Sequence, residues 1–144
     1  MFMQQALIQA QIAATKNEVP IGCIIVKDNE IIASGYNTTI TDCDPTAHAE
    51  INCIRQTATS LKTEFLTDCE LYVTLEPCPM CAQAISNARI KKLVFGAYDP
   101  KSGGVIHNTQ TYQHPSAHHK PEVVGGILEN QCANLIKDFF HRLR

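Results

Sequence analysis

Two short segments, His48-Ala-Glu50 and Pro77-Cys78-Pro-Met-Cys81, stand thirty positions apart and together supply one imidazole and two thiols. A fold that uses them must bring both to one point. Cysteines at i, i+3 place both sulfurs on one side of a first helical turn. Free amide donors and the positive end of the helix dipole stabilise thiolates there. Structural zinc sites normally take four protein ligands, whereas catalytic sites keep one position open for water. His48, Cys78 and Cys81 make three, so a catalytic site with one zinc per chain is expected. Glu50 is then placed to take and return a water proton. His48 and Glu50 are at i, i+2, roughly 200° apart on a regular helix. Either one of them lies in an irregular first turn, or the metal sits near the helix axis at that end.

The size of the chain does not demand a metal for stability. With 144 residues, it can bury roughly 68–70% of its unfolded surface as one domain, expected to span residues 1–144. The longest apolar run, Ile21 to Val26, is far too short to cross a membrane. The first residues carry no cationic start of a secretory signal. A cytoplasmic protein with no membrane partner is expected. Seven cysteines, an odd number in a reducing compartment, then read as thiols or ligands and not as a disulfide framework. Cys23, Cys43, Cys53, Cys69 and Cys132 are read as ordinary core or surface thiols. The net charge of −2 hides an asymmetry: residues 1–88 hold 4 Lys and Arg against 10 Asp and Glu, and residues 89–144 hold 8 against 4. Such a distribution is compatible with a local phosphate-binding surface and equally with an ordinary mixed one.

Periodicity predicts a helix over residues 4–16, then a hairpin of strands 19–26 and 30–34 around Lys27, Asp28 and Asn29. Asp44 and Pro45 read as the N-cap and first position of the next helix. A strand over 70–75 leads through Pro77 into a second helix, and another strand covers 92–95. Residues 99–121 form a loop. A short strand over 122–124 precedes a final helix, whose apolar stripe of Leu128, Cys132, Leu135, Ile136, Phe139 and Phe140 is read as core packing. Alternating strands and helices predict an α/β sandwich with helices on both faces of a mixed sheet.

The order H-x-E followed by P-C-x-x-C is the signature of zinc-dependent base deaminases. The likeness extends to Glu18-Val-Pro-Ile-Gly22, Gly35-Tyr-Asn37, Asp44 to Ile51, Leu71 to Cys78, Phe95-Gly-Ala97, His114-Pro115 and Asp138-Phe-Phe140. Over nearly its whole length the chain resembles bacterial tRNA-specific adenosine deaminases. The resemblance implies a cytidine-deaminase-like three-layer α/β/α sandwich with a five-stranded mixed sheet, and a homodimer. It also implies a tRNA anticodon stem-loop as substrate, whose wobble adenosine becomes inosine by hydrolytic deamination, with zinc-activated water and Glu50 as proton shuttle. His48, Cys78 and Cys81 match the family's zinc ligands. Asn37 resembles its base-contacting asparagine, and Asp99 a loop aspartate near the target ribose. Tyr98, where a basic residue is expected, and the loop after Lys101 depart from the pattern.

Other readings remain open at this level. Asn37 and Asp99 are also common turn residues. His107, His114, His118 and His119 read as solvated loop side chains, one or two of them toward RNA. Arg89, Lys91, Lys92, Lys137, Arg142 and Arg144 touch either phosphate or water. A deaminase of a free base or nucleotide, guanine or cytosine, would share the metal site. A zinc-stabilised interaction module would have no use for an unliganded Glu50.

Overall fold

The computed structural model describes residues 1–143. Five strands form one mixed sheet in the order β2-β1-β3-β4-β5: β1 (Gly22–Lys27), β2 (Glu30–Tyr36), β3 (Cys69–Leu75), β4 (Lys92–Ala97) and β5 (Glu122–Val124). β1 runs antiparallel to both its neighbours, while β3, β4 and β5 are parallel. Four helices complete the chain: α1 (Phe2–Thr15), α2 (Ala49–Leu61), α3 (Pro79–Asn87) and α4 (Glu129–Arg142).

Side chains alternate across each strand and so divide into two cores. Leu71, Val73, Leu93 and Phe95 pack with Ala49 and Cys53 of α2 and with Ala82 and Ile85 of α3. Tyr72 and Val94, from the other face, pack with Met3, Ala6 and Leu7 of α1 and Cys132 of α4. The expected sandwich, helices on both faces of a five-stranded mixed sheet, is what the chain forms. At Gly22 the backbones of α1 and β1 nearly touch, and a Cβ there would run into the Ala6 carbonyl and the Ala10 backbone.

Differences from the sequence reading are local. Lys27 belongs to β1, so the hairpin turn is the pair Asp28 and Asn29, both with positive φ (51° and 64°). Two left-handed residues match the twist of the flanking strands. Asp44 does not cap a helix. Its Oδ1 accepts the Thr46 N–H and hydroxyl at 2.9 and 2.7 Å, closing a local turn, and α2 starts five residues later at Ala49. In α4, Phe139 is 4% exposed but Phe140 is 45% exposed, so the stripe is core on one side only. Leu128, expected inside that stripe, is the N-cap of α4 with φ 53°. Cys43 is exposed, and Cys23, Cys53, Cys69 and Cys132 are buried free thiols. Among the described residues no helix is long and apolar enough to cross a membrane. Arg144 lies outside them.

Candidate metal centre and active-site pocket

His48 is the N-cap of α2 and Cys78 the N-cap of α3; both are extended, with ψ of 157° and 171°. The N-termini of two helices therefore converge on one point, each presenting its capping side chain. In α3, Pro79 fills the first position, where its fixed φ suits the helix and its missing N–H costs nothing. Cys81 follows in the same turn and is fully buried. The extended His48 also resolves the i, i+2 question. The imidazole leaves the chain before the helix begins, and Glu50 projects from the first turn.

His48 Nδ1 lies 3.6 Å from Cys78 Sγ and 3.5 Å from Cys81 Sγ. All three ligand atoms fall within 4.8 Å of one another. Zinc bonds of about 2.3 Å to sulfur and about 2.0–2.1 Å to nitrogen, at a tetrahedral angle, separate N from S by roughly 3.6 Å. The donors thus already stand at the edges of a tetrahedron of the right size. Two sulfurs and one imidazole suit zinc, and the three-ligand set leaves a fourth position. No other such group occurs among the described residues.

Hydrogen bonding from Cys81 and His48, against burial, lowers the Cys78 thiol to about 4. The hydrogen bond with Cys78, together with burial, drives Cys81 up. A divalent cation binds both sulfurs as thiolates, displacing the thiol protons. His48 is raised, chiefly by its bond with Cys78. Glu50, 4% exposed, is pushed up to about 7, mainly by burial. That places its proton exchange near neutral pH, where a general acid–base group works best.

The centre opens into a pocket of about 160 Å³ walled by Ile21, Leu75, Glu50 and the rim residues Asp99 and Ser102. A larger groove of about 440 Å³ shares Leu75, Asp99 and Ser102 and runs on to Ile136, Lys137 and Phe140 of α4. Asp99, half-buried, thus stands between pocket and groove. Asn37 is 5% exposed, and its backbone N–H donates to Ile21 O at 3.1 Å. Its Oδ1 is buried with no partner, the only such side-chain atom among the described residues. It caps no turn through that oxygen, and an unpaired buried acceptor calls for an explanation.

The sequence reading passed over Glu76. Its carboxylate, 2% exposed, accepts backbone N–H groups of Asp99, Val105, Ile106 and His107 at 2.9–3.2 Å. The His107 imidazole donates to it from Nδ1 at 2.8 Å. Burial raises the Glu76 pKa, but the Asp99, His107 and Ile106 donors outweigh it and hold it low. One charged residue directly before Pro77-Cys78 was the only signal available. The loop histidines are also more engaged than expected of solvated groups. His114 Nε2 contacts Thr109 O at 2.8 Å, and His119 Nε2 contacts Ile90 O at 2.7 Å. Tyr98 packs edge-on against Phe95 at 5.0 Å and His107 at 6.3 Å. Of the basic candidates, Arg89 stacks over Phe65 at 4.5 Å and Lys92 pairs with Glu122 at 3.6 Å. Lys137 faces the groove.

Residues 1–97 match the family model for the cytidine and deoxycytidylate deaminase zinc-binding region. The tRNA-specific adenosine deaminase of Agrobacterium fabrum is 46% identical over 143 residues, covering 99% of this chain and 94% of the relative. That of Bacillus subtilis is 43% identical, covering 100% of this chain and 89% of the relative. A solved structure from work on A-to-I editing by tRNA:A34 deaminases at the wobble position superposes with a TM-score of 0.92 at 46% identity. It covers 93% of this chain and 97% of that one. The guanine deaminase of Bacillus subtilis, 42% identical, gives a TM-score of 0.65 and covers 67% of this chain and 62% of its own. The chain thus belongs to the tRNA-specific adenosine deaminase family, within the group defined by the cytidine and deoxycytidylate deaminase zinc-binding region.

Proposed function

We propose that this protein, acting as a single deaminase domain, converts adenosine to inosine at the wobble position of a tRNA anticodon loop, releasing ammonia as water is consumed. The observation that carries the reading is the near-complete match to tRNA-specific adenosine deaminases, in a chain where His48, Cys78 and the buried Glu50 line one small pocket. When bound by His48, Cys78 and Cys81, zinc supplies a water acidic enough to act as nucleophile near neutral pH. Glu50 is assigned the proton transfers. It would take a proton from the attacking water and give it to the adenine ring nitrogen, then take a second from the new C6 hydroxyl and give it to the departing amino group. Asn37, whose buried Oδ1 is unpaired and whose backbone N–H bonds the pocket residue Ile21, is assigned to the edge of the base, and Asp99, at the pocket rim, to the ribose.

A pocket of about 160 Å³ is smaller than a typical small-molecule site of roughly 300–1,000 Å³. It suits one base swung out of a single-stranded loop, with the neighbouring nucleotides outside it. The adjoining groove, with Lys137 along it, is assigned to that flanking strand. We further infer a homodimer working in the cytoplasm, where tRNA is found. Leu61, Phe65 and Ile106 are among its exposed apolar side chains.

The likeness to a guanine deaminase keeps a free-base reading in view. Ammonia release separates the two. An anticodon stem-loop bearing the wobble adenosine should be deaminated far faster than free adenosine, cytidine or guanine at equal concentration. Rapid turnover of guanine beside an inert stem-loop would replace the tRNA reading with the free-base one.

A further inference from the structure

We propose that Glu76, which also lines the active-site pocket, and His107 form a clamp that positions the pocket rim, and that this clamp sets substrate affinity through the rim residues it holds. The proposal rests on the tRNA reading above for the identity of the substrate.

The loop after β4 supplies Asp99 and Ser102 to the pocket rim, yet no regular element holds it there. Its frame is the Glu76 carboxylate. Oε1 accepts the Asp99 N–H at 3.0 Å and the His107 Nδ1–H at 2.8 Å. Oε2 accepts the N–H groups of Val105, Ile106 and His107 at 3.2, 2.9 and 3.1 Å. One side chain thus ties both ends of the segment 99–107 to the last position before the P-C-x-x-C turn. Gly103 leaves room for it, because a Cβ there would collide with the carboxylate. Ser102 in turn donates its N–H to Asp99 Oδ1 at 3.1 Å. The Asp99 side chain is therefore oriented from both sides, by a bond to its own N–H and by a bond to its carboxylate.

All five bonds to Glu76 come from donors, so the site demands an acceptor at both oxygens. A glutamine has the same shape but must turn an NH₂ group toward either two donors or three. Glu76→Gln tests the charge and acceptor pattern with little change in volume. His107→Ala removes one donor from a half-exposed position and is the gentler variant. His107→Asn keeps an N–H donor near the place of Nδ1 and serves as the rescue.

The experiment has three readings: zinc content, steady-state kinetics on an anticodon stem-loop, and amide hydrogen exchange of residues 99–107. With zinc content unchanged, Glu76→Gln and His107→Ala should raise KM about tenfold, the effect of losing one charge-assisted hydrogen bond. The change in kcat should be much smaller, and exchange at Asp99, Val105 and Ile106 should accelerate. His107→Asn should restore both KM and protection. An unchanged KM in both variants, or equal losses in His107→Ala and His107→Asn, would overturn the clamp. Exchange needs no substrate, so it decides the loop half of the proposal independently. A wild-type protein that leaves the stem-loop untouched counts instead against the tRNA reading. Should Glu76→Gln not fold, His107→Ala and its rescue carry the test.

Discussion

Glu50 sits where a carboxylate would normally be avoided, 4% exposed in the first turn of α2 beside a sulfur pair. Burial raises it to about 7, and proximity to Cys78 adds to the rise. Glu50→Gln preserves shape and removes the titrating group. It should keep one zinc per chain and a wild-type melting profile while turnover falls about 10²–10⁴-fold, as loss of proton transfer requires. A variant within a few-fold of the wild-type rate would remove Glu50 from that role. Cys78→Ala or Cys81→Ala should instead strip the metal, read as zinc per chain after dialysis. Full occupancy in either would reject the ligand assignment. At this scale the ligands and Glu50 were legible because their chemistry is fixed by residue type and spacing. Glu76 was not, because a carboxylate that binds backbone amides leaves no motif; its partners are positions, not residue types.

Elements matter here through where they begin. Helix α2 starts at Ala49 because Asp44 spends its side chain on Thr46 and holds residues 44–46 in a turn of their own. The capping pattern of Asp44-Pro45 was visible in the sequence, but two local uses of one aspartate compete, and only tertiary packing chooses between them. Strands were more legible, since β1 and β4 are short β-rich runs buried on both faces. The close approach of α1 to β1 at Gly22 left none. Gly22→Ala should push α1 off the sheet and cost about 1–3 kcal/mol by urea denaturation, the usual penalty of overpacking. A third buried carboxylate, Glu18, holds the segment after Asn37. It accepts the N–H groups of Ile40 and Thr41 and the Thr41 hydroxyl at 2.7–3.2 Å. Burial raises its pKa, yet the Thr41 and Ile40 donors together leave it below 4.5. A depressed folded pKa means stability that is present above the unfolded value and lost as pH falls through the folded one. Denaturation midpoints should therefore drop below about pH 4.5, and Glu18→Gln should be less stable at pH 7 but flatter across that acid limb. An identical acid limb in the variant would show that Glu18 does not contribute to it.

Across the whole molecule, the excess of positive over negative charge lies in residues 89–144, and the groove leading from the pocket passes Lys137 on α4. Each phosphate neutralised releases counterions, so binding of a stem-loop should weaken steadily with salt. Replacing Lys137, Arg142 and Arg144 together should reduce the log–log slope by roughly 0.7–0.9 for each phosphate that is no longer neutralised, and leave zinc content unchanged. An unaltered slope would place the RNA elsewhere. Charge asymmetry was plain from the sequence, but which cations remain available was not. Arg89 stacks over Phe65 and Lys92 pairs with Glu122 at the surface. The most direct measurement is position-resolved. An anticodon stem-loop RNA with adenosines both at the wobble position and elsewhere is incubated with the zinc-loaded protein and then sequenced. Inosine should accumulate to completion at the wobble position and nowhere else, and should be absent with Glu50→Gln. An unchanged RNA, in a preparation that still releases ammonia from guanine or cytosine, would contradict the assignment of this site to a tRNA adenosine.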